Sequence, residues 1–142
     1  MVMEEIDSKA ILAEAMRNQS AAEHCRAYQL LLDQLHSYKI FPKKHILDNE
    51  ILDNLKAVIK LNNLEYKLVP PHDHQRNIAE KGIQTYKSHL ISILCGTDKD
   101  FSLYLWCDLL PQVKHTLNLL QPSGKLPTVS AYAYLHGQHN YD

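Results

Sequence analysis

Apolar residues first gather in two short runs, Met1 to Ile6 and Ala10 to Met16, on either side of the turn-forming trio Asp7, Ser8, Lys9; this pattern predicts a β-hairpin. Behind Ser20, Tyr28, Leu31, Leu32 and Leu35 fall on one stripe at helical spacing, and Glu23 stands where it would complete a capping box, so a helix is expected over residues 21–37. Pro42 forces an extended approach to a short strand from Lys44 to Leu47 that gives out at Asp48. Ile51, Leu52, Leu55, Val58 and Ile59 make a second amphipathic helix from Glu50 to Leu61, stopped by Asn62 and Asn63. Leu64 to Val69 alternates apolar and charged positions with period two, the signature of a strand, and Pro70 with Pro71 ends it.

A third helix is expected to open at Asn77, to bury Ile83, Tyr86, Leu90, Ile93 and Leu94, and to close at Gly96. Trp106, Leu109, Leu110, Val113, Leu117 and Leu120 then line a last helix from Phe101 to Leu120, which Pro111 should kink or divide. A loop over residues 121–127 and a short helix within residues 128–137 complete the chain. Strands and helices in this order describe a mixed α/β sheet with helices packed against it.

Composition narrows the function classes. With 142 residues the chain can build one domain with a core; 45% apolar and 22% charged residues argue against wholesale disorder. A net charge of −1 excludes a strong overall field for nucleic acid, so any such contact must be local. Three widely spaced cysteines, Cys25, Cys95 and Cys107, form neither a disulfide framework nor a zinc ribbon. There is no apolar run long enough for a membrane helix and no signal-like N-terminus, so an intracellular, reduced protein with no membrane partner is expected.

The candidate chemistry lies in two carboxylates. Asp48 sits where a strand gives out and Glu80 near the start of a helix, the two kinds of place where functional groups gather in α/β sheets. If they converge, they could hold Mg²⁺ or Mn²⁺, hard cations that take oxygen ligands. Read alone, each has a plainer explanation: Glu80 comes after Asn77 by the spacing of a helix cap, and Asp48 suits a strand-end turn. His72 and His74 with Cys95 or Cys107 could be imagined as zinc ligands, but a polar loop with two histidines is more simply solvated. Lys39, Lys43 and Lys44 are either a phosphate-facing patch or a solvated one. Trp106 reads as core.

The segments Lys43-Lys44-His45-Ile46-Leu47-Asp48-Asn49-Glu50 and Leu68-Val69-Pro70-Pro71-His72-Asp73-His74-Gln75-Arg76-Asn77-Ile78-Ala79-Glu80 resemble the second-aspartate and glutamate motifs of the integrase catalytic core of copia-type retrotransposons. The run from Trp106 to Asn118 and the stretch from Ser130 to Gly137 are similar to the segments C-terminal to those motifs in that family, so the resemblance covers essentially the whole chain. It implies a ribonuclease H-like fold and the metal triad of polynucleotidyl transferases that join a retroelement's DNA ends to target DNA. Asp48 would be its second acid and Glu80 its third, holding Mg²⁺ or Mn²⁺. Arg76, Lys81, Gln84 and Lys87 would face DNA, although Gln84 stands where relatives often carry a basic residue. Residues 1–120 would be the core and residues 121–142 a loop, short helix and tail.

The family's first aspartate lies on a strand upstream of the expected hairpin, and the sequence begins after it. Asp7 matches a turn and receives no metal. The expectation is therefore a ribonuclease H-like mixed sheet flanked by helices and lacking its first, central strand, with two of three acids and little integrase activity by itself. A sheet opened in this way could pair with another copy, leaving a homo-oligomer open. The resemblance places an active element of a eukaryotic host in the nucleus. Two rival readings are a non-catalytic, retroelement-derived remnant that binds nucleic acid or protein, and an unrelated metal-dependent hydrolase, which would need a third acid beside Asp48 and Glu80.

Overall fold

A computed structural model describes the backbone of residues 1–48, 51–70 and 74–137, and the side chains of these except at 48, 74–77 and 79. The chain forms two compact units, one of Met1 with Met16–Glu80, the other of Val2–Ala15 with Lys81–Asp142.

The first unit is built on helix α1, Ala21–Ser37, with the bounds its stripe predicts. The Ser20 hydroxyl accepts from the Glu23 N–H at 3.3 Å, but only half of the capping box forms. The Glu23 carboxylate takes the Arg17 N–H and the Arg26 guanidinium instead, and that guanidinium holds it below the usual carboxylate range. Strand β3, Lys44–Asp48, and strand β4, Glu65–Val69, pair in parallel, with Asp48 opposite Val69. Parallel pairing needs a crossover, which helix α2, Asp53–Leu61, supplies. The helix expected from Glu50 thus begins later: Leu52 is still extended and holds the N-cap position without a side-chain bond. Tyr28, Leu31, Leu32 and Leu35 of α1 are buried, as are Leu55 and Ile59 of α2, Leu64 just before β4 and Val69 at its end.

The second unit contains the hairpin, strands β1, Val2–Glu4, and β2, Ile11–Ala13, paired antiparallel. The Glu5 carboxylate closes its turn by accepting from the Asp7 and Ser8 N–H groups at 3.1 and 2.7 Å. Helix α3, His74–Cys95, runs into this unit from the first. Pro111 divides the expected long helix: Leu103–Leu109 is a 3-10 helix with no buried residue, and helix α4, Leu110–Leu120, carries the proline in its first turn, where the missing N–H costs nothing. Trp106 is accordingly not core; it is 41% exposed, because the apolar stripe meets the core only from Leu110 onward. Ile11, Tyr86, Leu110, Val113 and Leu117 form the core, with Leu90 and Ile93 packed against it. Ile83 is 37% exposed and Gly82 takes the buried place beside it, a turn before Tyr86. Helix α5, Ala131–Leu135, is capped by the Ser130 hydroxyl, which accepts from the Ala133 N–H at 3.1 Å.

The β1–β2 and β3–β4 pairs are separate two-stranded sheets. Gly124 is required where it stands: a Cβ there would lie 2.8 and 2.9 Å from the carbonyl oxygens of Ile6 and Asp7.

Candidate active site

Asp48 is the last residue of β3, where its backbone faces Val69; its side chain lies outside the described residues. The chain leaves β4 at Val69 and enters α3 at His74, so the helix bearing Glu80 departs from the end of the strand pair at which Asp48 sits. The parallel register and the short connection after β4 are what bring these two segments to one end of the unit.

Glu80 is exposed and lies in the second turn of α3. This corrects its expected place. The helix opens at His74, before Asn77, and has no acid in its first turn, so Glu80 is not the partner of an Asn77 cap. Lys81, Gln84 and Lys87 are exposed along the same helix, and Glu80, Gln84 and Lys87 recur at the spacing of one helical face. The side chains of Arg76 and His74, and residue His72 altogether, lie outside the described residues.

Asp7 belongs to another arrangement: its Oδ2 lies 2.7 Å from Lys125 Nζ, and its carbonyl accepts from the Lys125 N–H at 2.8 Å. That pairing fixes the hairpin turn and gives the carboxylate a cation of its own. Cys25, Cys95 and Cys107 are free thiols. Among the described residues no group of three or more His, Cys, Asp or Glu side chains is placed to hold a metal ion. No helix among them is long and apolar enough to cross a membrane.

Two features near β3 are not evident from sequence pattern. His45 packs edge-on against Tyr28 with ring centroids 5.2 Å apart, and burial pushes its imidazole below the ordinary 6.5. The chain between α1 and β3 carries Phe41, 67% exposed, among exposed Lys39, Lys43 and Lys44. The Phe-Pro pair before two lysines was a signal for a presented aromatic, since the proline stiffens the approach to β3.

No protein-family profile and no curated protein sequence matches the chain. Among solved structures, the crystal structure of the catalytic core domain of BIV integrase is similar over 97% of this chain and 86% of that one, with a TM-score of 0.69 and 15% sequence identity. At that identity the likeness speaks to the fold: two small strand pairs flanked by helices, in the order hairpin, helix, strand, helix, strand, helix. The chain has a ribonuclease H-like α/β fold of the integrase-core kind.

Proposed function

We propose that this chain is the catalytic core, or a piece of the core, of a copia-type retroelement integrase, a polynucleotidyl transferase acting on DNA. The observation that carries the reading is the position of the two acids within the fold: Asp48 ends β3, and Glu80 stands in the second turn of the helix that leaves the same end of the β3–β4 pair. The likeness to an integrase core over 97% of the chain supports it, as do the motif residues around both acids.

The donors fit the implied metal. Asp48 and Glu80 offer carboxylate oxygens, the ligands Mg²⁺ and Mn²⁺ prefer, and Glu80 is exposed, so a hydrated cation can reach it. When bound, such ions polarise a phosphodiester and stabilise both the attacking and the leaving oxygen. In this reading Asp48 and Glu80 hold the cation, while Lys87 and Lys81, with Arg76, neutralise phosphates of the DNA end. Gln84 contributes a neutral hydrogen-bonding contact at the middle of that helical face. Two carboxylates hold a metal pair more weakly than three, so the polypeptide of these 142 residues is expected to give strand transfer below detection.

Manganese titration followed by electron paramagnetic resonance tests the site. Wild type should bind Mn²⁺ in the high micromolar to millimolar range, the weak end for few-ligand oxygen sites, and Glu80→Gln and Asp48→Asn should each weaken it by about tenfold. Equal, negligible binding in all three proteins would remove the metal site. Strand transfer by the wild-type polypeptide with Mg²⁺ would instead overturn the expectation that these two acids are insufficient.

A further inference from the structure

Helix α1 ends in a Schellman turn: the Lys39 N–H donates to the His36 carbonyl at 2.9 Å, and the Ile40 N–H to the Leu35 carbonyl at 3.0 Å. The turn places Lys39 at φ 60°, in the left-handed region, where glycine or asparagine is the usual occupant because a Cβ crowds the backbone. The comparable place after α2 is held by Asn63, at φ 57°. Lysine is not the favoured occupant of such a position, although Lys9 in the hairpin turn holds another, at φ 57°.

The surroundings of Lys39 indicate a role. No acid occurs from Gln34 to Leu47, while Lys39, Lys43 and Lys44 all lie exposed there; the nearest carboxylate in register is Glu65, opposite Lys44. Between the lysines stands Phe41, 67% exposed, its ring tilted 30° against His36 with centroids 5.2 Å apart. The helix C-terminus accounts for basic groups at His36 and Lys39, but not for Lys43 and Lys44 beyond it. A lone exposed phenyl needs no explanation; one held by a stiff turn and flanked by cations on both sides is the usual make-up of a surface that stacks a base while gripping its phosphates.

We propose that the segment from His36 to Lys44 binds single-stranded DNA, with an unpaired base stacked on Phe41 and the backbone phosphates on Lys39, Lys43 and Lys44. The segment ends where β3 begins, whereas Asp48 is that strand's last residue, and the binding uses no metal. Only the choice of DNA over RNA rests on the integrase reading; the binding chemistry does not.

Fluorescence anisotropy of a short labelled oligo(dT), in EDTA, tests it in the full chain. Wild type should bind, and Phe41→Ala should weaken binding by about tenfold with the salt dependence unchanged, because stacking releases no counterions. Phe41→Trp should restore the affinity. Lys39→Gly combined with Lys43→Ala and Lys44→Ala should lower the slope of log K against log salt by about two, as three lost phosphate contacts require. Lys39→Gly alone should melt no lower than wild type, since glycine suits that φ, and Lys99→Ala, an exposed lysine elsewhere, should bind as wild type does. Absent binding, indifference to Phe41→Ala, or tighter binding of a duplex than of the single strand would overturn the proposal. Tighter binding of oligo(U) would overturn the assignment to DNA. Because EDTA removes divalent metal, loss of the Asp48 and Glu80 site would leave these results unchanged, and failure here would leave the manganese titration unchanged.

Discussion

His45 and Tyr28 meet inside the first unit with a polar atom each to spare: His45 Nε2 and the Tyr28 hydroxyl are buried and have no hydrogen-bond partner among the described residues. Burial raises the Tyr28 phenol to about 12 and lowers the His45 imidazole below 6.5, in both cases favouring the uncharged form. The unfolded chain takes up the His45 proton near 6.5, while the folded chain takes it up only at lower pH. Between those values the unfolded state holds more protons, so stability contributed by the neutral imidazole is present above 6.5 and is lost as pH falls through the folded value. Urea midpoints measured from about pH 8 down to about pH 5 should therefore fall, and His45→Phe should flatten that fall. An identical pH dependence in the variant would show that the acid lability lies in other groups.

At the scale of elements, local chemistry decides where helices start and stop. Ser20 makes α1 legible, because a hydroxyl placed just before an apolar stripe satisfies an early N–H; Ser20→Ala should cost about 1 kcal/mol in denaturant unfolding, since it removes the half of the box that forms. Pro111 was readable as a break because proline forbids a continuous helix there. The segment upstream of it was not readable: the same apolar spacing that is core in Val113 and Leu117 lies on a 3-10 helix at Leu103 and Trp106, where the period changes and the residues face outward. The start of α3 was also hidden. Asn77 is a good capping residue, but so is Asp73 by type, one position before the helix begins at His74, and local pattern does not choose between the two. Shifting that start moved Glu80 from a first-turn cap position into the body of the helix. The strand-end place of Asp48 needed only Pro42 and the run from Lys44 to Leu47, both visible in the sequence.

For the whole molecule, both sheets are only two strands wide. Two-stranded sheets are marginal alone and draw support from helices packed on them, and each strand in such a pair keeps one side outside the ladder. Unpaired strand edges template association. The polypeptide of these 142 residues is expected to self-associate as its concentration rises, which sedimentation velocity would register as an increasing weight-average coefficient. A monomer at all concentrations with one cooperative melt would contradict this. The overall fold was legible because the order of elements survives small errors in their ends. The geometry between the two acid side chains is not legible in this way, because no periodicity specifies the loop and the rotamers that set it.

Asn118 bears on how far such association can go. It is 2% exposed on α4, and its side-chain amide spans Ile11 of β2, Oδ1 accepting from the Ile11 N–H at 2.9 Å and Nδ2 donating to the Ile11 carbonyl at 2.9 Å. Those are the bonds a neighbouring strand would make. The amide acts as a third strand one residue long, and it leaves the hairpin with a single side on which another strand can settle. Two copies joined through that side would each turn a blocked flank outward, so growth through the hairpin ends at a pair, where a hairpin open on both flanks would go on to a fibre.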